Sequence, residues 1–132
     1  MNEATTVTLE APATSGLKPT LLDFQERFNT NPRVKKLIKK WEREIMLDAT
    51  DTGALHTMVV QGQELREIVD GKAPSGDQEL LVHLQAEEAT LKDIFSGEYN
   101  PATAVIDGVL SVFSKERDKI KLEALAMVIW GL

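Results

Sequence analysis

Between Leu21 and Trp41 the apolar residues recur at helical spacing, and from Arg43 the period drops to two. Leu21, Phe24 and Phe28 share one side of a helix that the pattern opens at Thr20 and closes at Asn29-Thr30. Thr20 with Asp23 three places on resembles a capping box. Asn31-Pro32 starts a second helix, because Asn is a strong N-cap and Pro suits the first helical position. Its Val34, Leu37, Ile38 and Trp41 stand at i, i+3, i+4 and i+7, one continuous stripe.

From Arg43 to Thr50, Ile45, Leu47 and Ala49 alternate with Glu44, Met46 and Asp48, the signature of a strand with two different faces. Asp51-Thr52-Gly53 supplies a turn, ALHTMVVQ a second strand, Gly62-Gln63 another turn and ELREIVD a third strand. Connections this short join the three as an antiparallel meander. After GKAPSGD the segment ELLVHLQ reads as a fourth strand. A helix follows over 87–96, with Leu91, Ile94 and Phe95 apolar and Gly97 placed to stop it. Asn100-Pro101 opens another short helix that ends at Gly108. VLSVFS gives a fifth strand, and the last helix runs over 115–130. Strands and helices cluster separately at first, which predicts an α+β fold with the helices packed on one face of a sheet.

Residues 1–18, rich in Thr, Ala, Ser and Gly without a helical stripe, are expected to form a flexible tail, and 19–132 one domain. The stretch TTVTLEA is a weak candidate for an edge strand. The N-terminus, MNEATTVTLEAPATSG, lacks the basic start and apolar core of a secretory signal. There is no cysteine, which removes thiol catalysis, thiolate metal sites and disulfides from consideration. Together these features lead to the expectation of a cytoplasmic protein. A net charge of −6 argues against nucleic acid, where phosphate neutralisation dominates affinity.

The segment LKDIFSGEYNPATAVIDGVLSVFS orders a helix ending in Gly, an Asn-Pro helix start, a short helix, a Gly and a short strand, and an apolar C-terminal helix follows it. In that order and spacing the chain resembles the sterol carrier protein family in its type-two, lipid-binding form, over residues 20 to 132. It departs at SKERDK, where the family has a Gly-Asp turn. The resemblance implies a five-stranded mixed sheet covered on one face by helices. It also implies an apolar tunnel between them that accepts sterols, fatty acyl chains or isoprenoid lipids without catalysis or a cofactor. Members serve as free carriers, as domains of larger enzymes and as accessory proteins of quinone pathways.

Strand alternation and helix stripes nominate Ile45, Leu47, Val59, Leu84, Ile94, Phe95, Val105, Phe113, Leu122, Leu125 and Ile129 as the lining, though each position also suits plain core. Residues 124–130 are apolar all round, so the last helix is expected to be covered on several sides. Core, a ligand cavity and a partner interface such as a homodimer or enzyme contact all satisfy that requirement. Each buried methylene is worth about 0.8 kcal/mol, so a chain of ~16 carbons gains roughly 12 kcal/mol gross. Immobilisation takes back a large share. An apolar ligand therefore needs no specific polar motif.

The segment RVKKLIKKWER carries six basic residues against one acid. Its net of +5 leaves −11 for the rest of the chain. Lys35, Lys36, Lys39 and Lys40, beside an apolar stripe ending in Trp41, nominate a surface that docks on anionic membrane. A solvated basic face over a packed stripe is the alternative. His56 and His83 both fall in strands, where partly exposed structural roles are expected, and no third residue is spaced to complete a metal site. Glu87 and Glu88 sit where a helix dipole favours negative charge. No Gly-rich phosphate loop is present. The expected function is non-catalytic binding of a hydrophobic ligand, with an interaction or accessory module as the alternative.

Overall fold

The computed structural model describes residues 16–131. The TTVTLEA strand candidate and residues 1–15 of the expected tail lie outside them. Among the described residues five helices and five strands follow one another: α1 (Leu17–Asn29), α2 (Pro32–Leu37), β1 (Arg43–Ala49), β2 (Leu55–Val60), β3 (Leu65–Asp70), β4 (Leu81–Ala86), α3 (Glu88–Phe95), α4 (Pro101–Ile106), β5 (Ser111–Phe113) and α5 (Glu116–Trp130). The described strands form one mixed sheet in the order β3-β2-β1-β4-β5. The meander β1-β2-β3 is antiparallel, β4 runs parallel to β1, and β5 closes antiparallel on β4. The fold is α+β, and its helices cover one face of the sheet.

Local chemistry explains two of the helix starts. The Asn31 side chain accepts from the backbone N–H of Arg33 and Val34, and Asn100 does the same for Ala102, each beside a Pro at the first helical position. The first helix starts at Leu17 rather than Thr20, so Leu17 and Lys18 belong to it and not to the tail. Pro19 is tolerated because its missing N–H would be unpaired in the first turn anyway. The earlier start extends the buried stripe to Leu17, Leu21, Phe24 and Phe28. The second helix stops at Leu37, four residues short of its stripe, and Lys40 turns the chain in a left-handed conformation at φ 62°. Val34, Ile38 and Trp41 are nevertheless all buried, because the turn keeps them on the same side.

Side chains pin α1 along the edge strand β3. Asn29 donates to the Leu65 carbonyl and accepts from its N–H at 2.7 Å, while at the opposite end Lys18 pairs with Asp70 at 2.7 Å. Helix and strand therefore run antiparallel. His56 points from β2 into the core beneath the helices and is fully buried, not partly exposed. Its Nδ1 lies 3.1 Å from Asp70 and its Nε2 has no partner. His83 projects from the other face of the sheet, 3.2 Å from Asp48. On that face Ser75, in the loop between β3 and β4, donates its hydroxyl to the buried carboxylate of Glu44 at 2.8 Å.

Candidate functional site

The register decides which strand residues can meet the helices. Ile45 lies opposite Met58, and Leu84 opposite Val112, so these four share the helix-covered face. They form the floor of a cavity of ≈460 Å³. Phe24 and Phe28 of α1 and Phe95 at the end of α3 make one wall. Pro101, Ala102, Val105 and Ile106 of α4, with Leu110, make another. Helix α5 supplies the roof through Leu122, Leu125, Ala126, Ile129 and Trp130. Of nineteen lining residues only Lys119 and Glu123, also on α5, are ionisable. The volume lies within the ~300–1,000 Å³ of ordinary small-molecule sites.

Aromatic rings pack against one another in the wall. Phe24 stacks on Trp130 with ring centres 5.5 Å apart and meets Phe95 edge-on at 4.9 Å. Such pairs contribute about 0.5–1.5 kcal/mol beyond their burial. Trp130 also donates its indole N–H to the Ile94 carbonyl at 2.7 Å, and Asn100 donates to the Gly131 carbonyl at 2.8 Å. These bonds anchor the C-terminal end of α5.

A polar clasp holds its other end. The buried Asp118 accepts from the Trp41 indole and the Arg43 guanidinium, both at 3.0 Å, and Lys121 donates to the Leu37 carbonyl. Burial pushes the Asp118 carboxyl up, but the hydrogen bonds from Arg43 and Trp41 and the Arg43 charge outweigh it and hold the group below the ordinary carboxylate value. The roof is thus fixed by polar contacts at both ends and spans the cavity between them.

Seven of the nominated residues come together on this cavity: Ile45, Leu84, Phe95, Val105, Leu122, Leu125 and Ile129. Four stand elsewhere. Leu47 shares the face of Ile45 but is sealed in the filled core, with none of its surface accessible. Val59 pairs with Glu44 on the opposite face, one residue out of phase with Met58. Ile94 packs into the core and contributes only its carbonyl to Trp130. Phe113 follows the lining residue Val112, so strand alternation turns it to the far face, where it is 54% exposed and 5.7 Å from His83. On the fifth strand, as on the second, both phases carry apolar side chains, and alternation alone does not say which phase faces inward. Met58 and Val112 were legible only through pairing with Ile45 and Leu84. The small residues Ala102 and Ala126 gave no signal, because their contribution is the space they leave.

Helix α5 is not covered on all sides. Met127 is exposed, while Trp130 joins the Leu122, Leu125, Ala126 and Ile129 stripe on the cavity. The membrane-docking set also divides. Lys36, Lys39 and Lys40 are exposed and Lys35 donates to the Gln63 carbonyl at 3.2 Å. Trp41 is only 7% exposed, with its indole bound to Asp118, so it is not available to insert into a bilayer. Among the described residues, no three His, Asp or Glu side chains converge as a metal site, and no helix is long and apolar enough to cross a membrane.

No family model and no curated relative matches the sequence. Solved structures share its fold. The sterol carrier protein domain 2 of Helicoverpa armigera superimposes with a TM-score of 0.58 at 17% identity, over 87% of each chain. A crystal structure of sterol carrier protein 2 gives 0.57 at 16% identity, over 86% of this chain and 95% of that one. The sec-alkylsulfatase Pisa1 from Pseudomonas sp. gives 0.58 at 13% identity, with 88% of this chain covering 17% of the enzyme. The chain therefore has the fold of sterol carrier protein 2 domains, a fold also found as a small part of a much larger enzyme.

Proposed function

We propose that this domain binds a hydrophobic, lipid-like ligand in the cavity beneath α5 and hands it on without chemical change. The observation that carries the reading is the apolar space of ≈460 Å³ between a filled core and α5. Apolar walls left in contact with water forgo the ~25 cal/mol per Å² that covering them with a hydrophobic ligand would return. The lining contains no Ser, Thr, Cys or His, so it offers no hydroxyl or thiol nucleophile and no imidazole base. A sterol, fatty acyl or isoprenoid lipid needs little more than the apolar walls supply. Delivery to an anionic leaflet would draw on Lys36, Lys39 and Lys40 through charge alone, at about 1 kcal/mol for each residue near the surface. Cytoplasmic residence agrees with a cysteine-free chain.

Native mass spectrometry of the purified chain, followed by extraction and identification of the bound lipid, tests the reading. A lipid near one per chain supports it. Apo protein that takes up no acyl, isoprenoid or sterol probe sinks it. Sedimentation with anionic vesicles tests the delivery step: retention that ignores salt and the K36E/K39E/K40E triple change removes it.

A second reading has its own observation. Ile106 on α4 and Ile120 and Met127 on α5 are exposed at 83%, 68% and 54%. Exposed large apolar side chains on adjacent helices suit contact with another protein, as in a homodimer or an accessory subunit of a lipid or quinone pathway. The oligomeric mass in the same spectrum distinguishes self-association from the monomeric carrier.

A further inference from the structure

The cavity is polar at one place only. Lys119 and Glu123 lie one turn apart on α5 and both line it, while every other lining side chain is apolar or, in Trp130, has its N–H already bound to Ile94. Lys119 and Glu123 do not pair with each other within 4 Å, and among the described residues neither side chain is held in another ion pair. Glu116 stands one turn before Lys119 on the same helix, so the cation has an acid on each side along α5. The polar end of the site thus presents an ammonium and a carboxylate of opposite sign, and not a positive pocket.

A bound amphiphile places its tail against the apolar walls and its head where polar partners exist, because an unpaired polar group in an apolar cavity is costly. A carboxylate head attracted to Lys119 is repelled by Glu123. A hydroxyl head gains from both, accepting from the ammonium and donating to the carboxylate. We propose that Glu123 selects against a ligand that ends in a carboxylate, cancelling the attraction of Lys119 for it, and so favours one of the same length whose single polar end is an uncharged hydroxyl. This selection rests on the reading of the cavity as a lipid site.

Hexadecanol and hexadecanoate differ only at the head and make the test. The full chain is equilibrated at neutral pH with an equimolar mixture and separated from free lipid, and the bound lipids are extracted and quantified by mass spectrometry. An ionised acid is the harder of the two to desolvate, so the ratio in the unaltered protein does not decide the matter. The response to substitution does. Glu123→Gln is expected to shift the bound ratio about five-fold toward hexadecanoate, and Lys119→Gln about five-fold away from it, because both side chains are exposed to solvent and a charge pair ~4 Å apart in water is worth only that factor. A ratio unmoved by both substitutions, with lipid still bound, overturns the selection and leaves the lipid site standing. If neither lipid is retained by any of the three proteins, the lipid reading falls and the selection with it.

Discussion

The two halves of the helix-covered sheet face are built from the same residue types, yet one is filled and the other is not. Beneath α1 and α3, Leu17, Leu21, Leu47, Leu65 and Leu91 retain at most 1% of their surface. Beneath α4 and α5, Val112, Leu122 and Ile129 remain partly accessible around an open cavity. The difference lies in what each helix brings. Helix α1 rests on β3 and α3, and α3 reaches β1, each sending Leu, Ile or Phe inward. Helix α4 has six residues, and of these Ala104 is the buried one, while α5 packs against α2 and α4. One half is held together by side-chain volume. The other is spanned by a helix that polar contacts secure at its ends.

Paired truncations break that comparison most sharply. Leu91→Ala on the filled side should cost about 4 kcal/mol, the transfer term plus an unrelaxed cavity. Leu122→Ala should cost about 1 kcal/mol, because its side chain already lacks neighbours on one side. Urea unfolding reads both, and equal losses would mean that the cavity is closed in solution.

The clasp on α5 comes next. Asp118→Asn leaves the Arg43 charge poorly compensated in a buried setting, with an expected loss of about 3 kcal/mol. The sign of the pH dependence follows from the lowered folded-state value of Asp118. Between that value and the unfolded carboxylate value near ~4, the unfolded chain binds the proton and the folded chain does not, so stability falls as pH falls. The Asp118 contribution is therefore complete above the unfolded value and is lost on acidification through the folded one. Asp70, lowered chiefly by its hydrogen bond from Lys18, adds a dependence of the same sign. The Asn variant should lose the Asp118 share of this slope and keep the rest. Unfolding curves of both proteins across the acid range check it, and identical slopes would remove Asp118 from the account.

Overfilling gives the smallest effect and sharpens the contrast. Ala49→Phe enters a packed layer and should cost about 2 kcal/mol or somewhat more. Ala126→Phe enters the cavity and should leave the melting behaviour within about 1 kcal/mol of the original. It should also reduce lipid uptake by occupying the space. A melting scan of each variant and a lipid-loading assay on Ala126→Phe provide the readouts.

The ten described elements were legible along the chain, because their signals are local: Asn-Pro helix starts, a Gly stop after Phe95, turns rich in Gly and Asp, and a period that changes from helical to strand-like at Arg43. Where a boundary moved, at Leu17 and Leu37, another local signal competed, a tolerated Pro in one case and a left-handed Lys40 in the other. Which face of each strand looked inward was less legible. The phase of Val59 against Met58 is settled by pairing with Ile45, and that partner lies on another strand.

Chain pattern alone pointed to a sheet with helices on one side, and the described residues form one such sheet. Tertiary structure decided the rest. It buried Trp41 against Asp118, turned Phe113 to the far face and brought Lys119 and Glu123 to the cavity. The physical reason is that periodicity reports which side chains prefer to leave water, whereas a cavity is the volume they fail to fill once they have done so. That volume depends on how closely α4 and α5 approach the sheet, and no single stretch of the sequence carries it.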